Sequence, residues 1–107
     1  MIFYIKRNDT SPAMLATLQD ANGDAVDITA ASVRFHLRPM GSQTVTVDEA
    51  ATIVTALDGL VRYDWREADT STVGSYQAEF EVTYADGTVE TFPNNGYIPV
   101  EIIGDIA

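Results

Sequence analysis

The pattern of hydrophobic and polar residues predicts β-strands along most of the chain. The clearest alternation covers 76–84, where apolar side chains such as Tyr76 and Phe80 take turns with polar ones such as Gln77 and Glu79. A period of two places successive side chains on opposite faces of a strand. This segment is therefore predicted to be a long strand with one buried and one solvated face.

Shorter segments of the same kind are separated by turn signals about every ten residues. Asn22–Gly23 and Asp58–Gly59 are typical of tight hairpins. The segment 50–57 is ambiguous, because its alanines permit a helical turn while its β-branched residues favour a strand. The other predicted strands are 2–6, 13–19, 26–29, 32–38, 44–48, 60–65, 88–92 and 97–103. Seven to nine short strands without a long helix predict an all-β sandwich or barrel, in a single domain spanning 1–107.

Charges on two predicted strands favour one of these folds. Arg34, His36 and Arg38 lie on the outer face of one strand, and Glu79 and Glu81 on the outer face of another. Opposite charges on neighbouring strands stabilise a sheet by about 0.2–1 kcal/mol per pair. The corresponding strands are neighbours in an immunoglobulin-like β-sandwich of antiparallel strands, so the signs favour that topology over an up-and-down barrel.

Composition restricts the classes of partner. The 107 residues include 16 acidic and 6 basic ones, for a net charge of −10, which disfavours nucleic acids and anionic membranes. No apolar run approaches 18 residues, so no transmembrane helix is predicted. In the first seven residues the basic side chains follow a short apolar run, which is not the order of a secretory signal. The absence of cysteine is typical of a protein that is made in a reducing cytosol or that tolerates both redox environments, and it removes thiolate sites.

Candidate metal sites are weak in this sequence. Asp20, Asn22 and Asp24 resemble the start of a calcium loop, but the glycine and glutamate that such a loop requires are replaced by Ala25 and Ala31. A polar hairpin turn explains these residues better. We therefore predict no metal and no cofactor.

Candidate catalytic residues are equally weak. His36 is the only histidine, it lies between two arginines, and the G-x-S-x-G context of a nucleophilic serine does not occur. Glu79 and Glu81 fit a solvated sheet face better than a cleft. The sequence therefore predicts a protein that is not an enzyme.

Both ends of the chain contain more apolar residues than one sheet face requires. Ile2 and Tyr4 point one way and Phe3 the other, Ile103 lies outside the inward series, and Tyr97 follows a Pro-Asn-Asn-Gly turn. These five residues are the predicted partner contacts, because an apolar edge strand can add to or pack on a neighbour's sheet. The alternative is that both faces are buried within the domain.

The segment before the longest strand resembles the tyrosine corner of immunoglobulin-like domains. Asp69, Gly74 and Tyr76 occupy its positions, and Trp65 precedes it. The resemblance implies that the Tyr76 hydroxyl bonds back to the upstream backbone. These four residues are the predicted structural corner.

Six motifs follow one another at 5–12, 20–23, 33–38, 74–80, 86–93 and 100–102. Their order and spacing resemble the N-terminal immunoglobulin-like domain of phage baseplate upper proteins. The resemblance implies a structural protein of a tailed-phage particle, either a tail or baseplate component or a capsid decoration protein. Such a protein is made in the host bacterial cytoplasm, contacts other virion proteins and is expected to form a homo-oligomer. The alternative is a carbohydrate- or host-surface-binding module, for which Tyr97 is the candidate contact.

Overall fold

Nine β-strands form within residues 2–106, which are the residues that the computed structural model describes. Two 3₁₀ segments also lie between strands within residues 2–106. They are Ala56–Asp58 and Glu67–Thr70. The strands are β1 Phe3–Lys6, β2 Met14–Thr17, β3 Ser32–Pro39, β4 Val47–Ala50, β5 Thr52–Thr55, β6 Leu60–Tyr63, β7 Gly74–Thr83, β8 Val89–Phe92 and β9 Ile98–Ile103. The predicted all-β class is confirmed.

The strands form two sheets that share one hydrophobic core. The larger sheet has the order β1-β9-β7-β3-β4, with β8 also paired to β7, and the smaller has the order β2-β6-β5. This order corresponds to the two sheets of an immunoglobulin-like sandwich, with β3, β7 and β9 in the positions of strands C, F and G. The predicted sandwich is therefore confirmed.

The first strand departs from the expected antiparallel arrangement. β1 pairs with β9 in parallel, with Phe3 opposite Val100 and Ile5 opposite Ile102. Only strands joined by a hairpin must be antiparallel, and β1 and β9 lie at opposite ends of the chain. The alternation pattern fixes the faces of a strand but not the direction of its partner.

The strand predicted at 26–29 is wrong, because its backbone donors go to two different segments. The N–H of Val26 donates to the backbone oxygen of Leu18 at 2.9 Å, and that of Ile28 to the oxygen of Ala56 at 3.0 Å. The segment therefore bridges two loops instead of pairing with one strand. Its Ile28 side chain is fully buried, which accounts for the apolar pattern.

The predicted strand at 44–48 begins too early. The N–H of Thr44 is bound by the Ser42 hydroxyl at 3.0 Å, so a polar turn occupies the start of this segment and β4 begins at Val47. The ambiguous segment 50–57 contains both predicted forms. Strand β5 comes first and a 3₁₀ turn follows it.

Aromatic side chains fill the space between the sheets. Phe35 of β3 and Phe80 of β7 are fully buried, with ring centroids 5.2 Å apart. Tyr63 stacks on Phe35 from the smaller sheet at 4.2 Å. Because the alternation of β7 continues over ten residues, this strand contributes to the core along its whole length.

The outer face of the larger sheet is charged, and the predicted strands are neighbours there. Arg34 lies opposite Glu81 and His36 opposite Glu79. The Arg34 guanidinium, however, donates to Asp48 of β4 at 2.7 Å, and the hydrogen bond lowers the pKa of that carboxyl. The two His36 ring nitrogens lie 3.0 Å from Glu79 and 3.2 Å from Asp48, so these side chains link three strands.

Candidate docking surface

The corner before β7 contains the hydrogen bond that its resemblance implies. The Tyr76 hydroxyl donates to the backbone oxygen of Thr72 at 2.6 Å. Gly74 lies directly against the Tyr76 ring, since a Cβ placed there would be 3.6 Å from the ring. This bond fixes the chain between the two sheets at the point where it enters β7.

Asp69 forms its hydrogen bonds with Tyr63 and Arg66, which precede it in the chain. Its buried carboxylate accepts hydrogen bonds from the Tyr63 hydroxyl, from the Arg66 N–H at 2.9 Å and from the Arg66 guanidinium at 3.1 Å. Burial raises the pKa of Tyr63, and the hydrogen bond to Asp69 raises it further. The sequence signal for this pair is the inward position of Tyr63 at the end of β6, six residues before Asp69.

Trp65 belongs to the core and not to an exposed site. Its ring lies 5.8 Å from Phe3, 5.5 Å from Phe35 and 5.3 Å from Tyr63. Its indole N–H is buried without a hydrogen-bond partner among residues 2–106. Trp65, Asp69 and Tyr76 are all buried, so the exposed surface is formed by other side chains.

Four of the five predicted contact residues lie on one exposed face. The parallel register turns Phe3 inward onto Trp65 and turns its neighbours Ile2 and Tyr4 outward. The alternation of β9 places Ile103 on the same outer face. Tyr97 immediately precedes the strand and is separated from Ile103 by an even number of positions, so it lies on that face too. These side chains are 38–57% exposed. We call Ile2, Tyr4, Tyr97 and Ile103 the β1–β9 strip.

Two exposed loop residues extend the strip and were not predicted. The Met40 sulfur lies 3.7 Å from the Tyr97 hydroxyl. The Val73 methyl group lies 3.8 Å from the position that a Cβ would take at Gly104. Both side chains are about half exposed. They lie in loops, where no periodicity indicates which face a side chain occupies.

The strip ends at an open sheet edge. β1 pairs with β9 on one side, and no strand within residues 2–106 pairs with its other side. The opposite edge strand, β4, carries Asp48 and Glu49, whereas β1 carries a single charge at Lys6. Charged side chains discourage edge-to-edge pairing. The β1 edge is thus the less protected of the two.

Negative charge gathers at the end of the sandwich away from the strip. The loops that follow β2, β5 and β7 lie at this end, and they contain no lysine or arginine. Side-chain and backbone hydrogen bonds from Thr88 lower the pKa of Asp86 there. The aspartates of this end are Asp20, Asp24, Asp27, Asp58 and Asp86.

Within residues 2–106, no three histidine, cysteine, aspartate or glutamate side chains are grouped so as to hold a metal ion. No helix in this part of the chain has the length and apolar character needed to cross a membrane.

An apolar outer strip beside an open sheet edge can pack on or pair with a neighbouring chain. The sequence profile of the BppU N-terminal domain, which is the N-terminal domain of baseplate upper proteins, matches residues 2–93. The chain belongs to this family. It is therefore a structural domain of the tail or baseplate type from tailed phages, a component of the virion.

Solved structures agree with this assignment at the level of fold. The N-terminal domain of phage TP901-1 ORF48 superposes with a TM-score of 0.62 at 18% identity, over 98% of this chain and 85% of that one. CopC from Methylosinus trichosporium OB3b superposes with a TM-score of 0.51 at 17% identity, over 98% of this chain and 86% of that one. No curated protein sequence matches the chain. Because the same sandwich occurs in proteins of different names, the fold alone does not decide the function.

Proposed function

We propose that this chain attaches to another virion protein of a tailed phage through the β1–β9 strip and the open edge of β1. The observation that carries this proposal is the exposure of Ile2, Tyr4 and Ile103 on one outer face beside an unpaired edge strand. A partner strand or loop can bond to the free β1 backbone while it covers the apolar side chains.

The expected energy of this contact is moderate for each side chain. Complete burial of a large apolar side chain is worth roughly 1.5–3 kcal/mol, and Ile2 and Tyr4 are already about half covered. Each would therefore contribute ~1 kcal/mol on docking. A stable contact then needs most of the strip together with the backbone edge.

Charge indicates the kind of partner surface. Glu101 lies beside Tyr4 in the register, Asp105 is already paired with Arg7 at 3.6 Å, and the chain carries a net charge of −10. A partner that offers an apolar groove with basic residues at its rim would be complementary in shape and in sign. We propose that the particle holds several copies of the chain as a homo-oligomer. Because their acidic ends repel one another, the copies would be arranged by this partner.

The test is the substitution Tyr4→Lys in particles of the phage that encodes the chain. Lysine removes the exposed ring but remains compatible with its neighbour Glu101, so the sheet should stay intact. Leu57→Lys is the matched control, since Leu57 is 71% exposed in the turn after β5, outside the strip.

We expect Tyr4→Lys to reduce the copies of the chain per purified particle, measured by quantitative mass spectrometry, by about fivefold. Leu57→Lys should incorporate normally, and both purified variants should keep the thermal midpoint of the parent. Normal incorporation of Tyr4→Lys would refute the proposed docking surface.

A further inference from the structure

A groove crosses the outer face of the larger sheet above β3 and β7. It has a volume of about 150 Å³. Tyr97 lines one side and Val45 the other, and Arg38, Gln77 and Glu79 line the floor. Strand β9 pairs with β7 only as far as Ala78, and β8 pairs with β7 only from Phe80 onward. Glu79 therefore lies between the two pairings, and the segment before β9 lies over the sheet beside it.

The polar side chains of the floor are held by hydrogen bonds to one another and to neighbours, and each keeps a donor or acceptor that these bonds do not use. Arg38 donates through Nε to the Gln77 side-chain oxygen at 3.0 Å and through Nη1 to Gln43 at 3.2 Å. Glu79 binds His36 through one carboxylate oxygen at 3.0 Å. The Arg38 Nη2, the Gln77 amide nitrogen and the second Glu79 oxygen have no partner among residues 2–106. Two donors and one acceptor of the groove lining are therefore available to a ligand.

The chemistry of the groove selects among ligand classes. The Arg38 cation and the Glu79 carboxylate balance each other in charge, and the net charge of −10 repels anions. The Tyr97 ring, 42% exposed, offers an apolar flat surface to a ligand lying on the floor. A sugar ring presents hydroxyl groups that both donate and accept, and C–H groups that pack on an aromatic ring.

We propose that this groove binds one neutral pyranose ring of a glycan. The groove is smaller than the pockets that enclose drug-sized ligands, which suits a single ring, and its open form lets a saccharide chain continue on either side. Tyr97 stacks on the ring, the Arg38 and Gln77 nitrogens donate to its hydroxyl groups, and Glu79 accepts from them. Tyr97 is shared with the β1–β9 strip, whereas the attachment proposed for Ile2, Tyr4 and Ile103 does not use the groove floor of Arg38, Gln77 and Glu79.

The test is titration of the whole chain with the methyl glycosides of glucose, galactose, rhamnose and N-acetylglucosamine, followed by ¹H–¹⁵N correlation spectra. Concentrations up to about 50 mM reach the weak affinity expected for one ring in a shallow groove. At least one glycoside should shift the amides of Glu79, Gly96 and Tyr97. Glucuronate, an anionic sugar, should bind more weakly than its neutral counterpart.

Three variants locate the binding. Tyr97→Ala should weaken binding about tenfold, while Tyr97→Phe, which keeps the ring, should bind within about twofold of the parent. Tyr4→Ala is the matched control, because Tyr4 is an exposed tyrosine of the same sheet face outside the groove, and it should leave binding unchanged.

Absence of groove shifts with all four glycosides would overturn the proposal. Equal binding by Tyr97→Ala and the parent would do the same. A reduced incorporation of Tyr97→Ala into particles, without saccharide binding by the parent chain, would assign the groove to protein contact instead.

Discussion

The substitution Tyr63→Phe tests what holds the turn between β6 and β7. It removes the hydroxyl that donates to Asp69, and it keeps the buried ring that stacks on Phe35. The Asp69 side chain is almost fully buried, so water cannot replace the lost donor without a rearrangement of the turn. A buried acceptor that loses its partner is costly to leave unsatisfied.

The magnitude follows from the bonds that remain. A hydrogen bond to a charged group contributes about 1.5–3 kcal/mol, and one between neutral groups about 0.5–1.5 kcal/mol. Asp69 keeps two donors of Arg66, at 2.9 and 3.1 Å, which limits the loss for Tyr63→Phe to ~2 kcal/mol. Tyr76→Phe removes a bond to the neutral backbone oxygen of Thr72 and should cost ~1 kcal/mol.

Urea unfolding measures both values. The two variants should show lower midpoints than the parent with an unchanged slope, because the surface exposed on unfolding is the same. A double-mutant cycle of Tyr63→Phe with Asp69→Asn isolates the pair. We expect a coupling energy of at least ~1 kcal/mol.

Two results would refute this reasoning. If Tyr63→Phe costs no more than Tyr76→Phe, the charged acceptor at Asp69 is not what fixes the turn. If the double-mutant cycle shows no coupling, the effect of Tyr63 comes from packing of its ring alone.

Two further predictions concern a turn and alkaline pH. Gly59→Ala should lower the thermal unfolding midpoint clearly more than Gly87→Ala. Both glycines have a positive φ, but only at Gly59 would a Cβ clash with backbone, since it would lie 2.6 Å from the Val26 oxygen. Equal losses would contradict a steric cause. Burial and, after it, the hydrogen bond to Glu90 raise the pKa of Tyr84 to about 12. The stability that Tyr84 contributes is therefore complete below the unfolded pKa of about 10 and is lost as the pH rises from there toward 12. Urea midpoints should therefore fall over this range, and less steeply for Tyr84→Phe; identical pH profiles would contradict the assignment.

The sequence alone determined the strands that dominate the core. The alternation around Phe35 and Phe80 predicted which side chains face inward, because a period of two is a local property of the strand. It also predicted that Arg34 and Glu81 lie on neighbouring strands, as the structure confirms. The resemblance to baseplate upper proteins, read from the order of motifs, is confirmed by the family match.

Tertiary structure alone decided the direction of β1, the partner of Asp69 and the position of the groove. Each depends on contacts between residues distant in the chain or on loops without periodicity. The partner of Tyr76 was expected, because the corner implies a bond to upstream backbone. The donors of Asp69 were not, because Tyr63 and Arg66 reach it across a 3₁₀ turn that has no periodicity in the sequence. Local alternation sets the face on which a side chain lies, and only the packing of the sheets sets what it meets there.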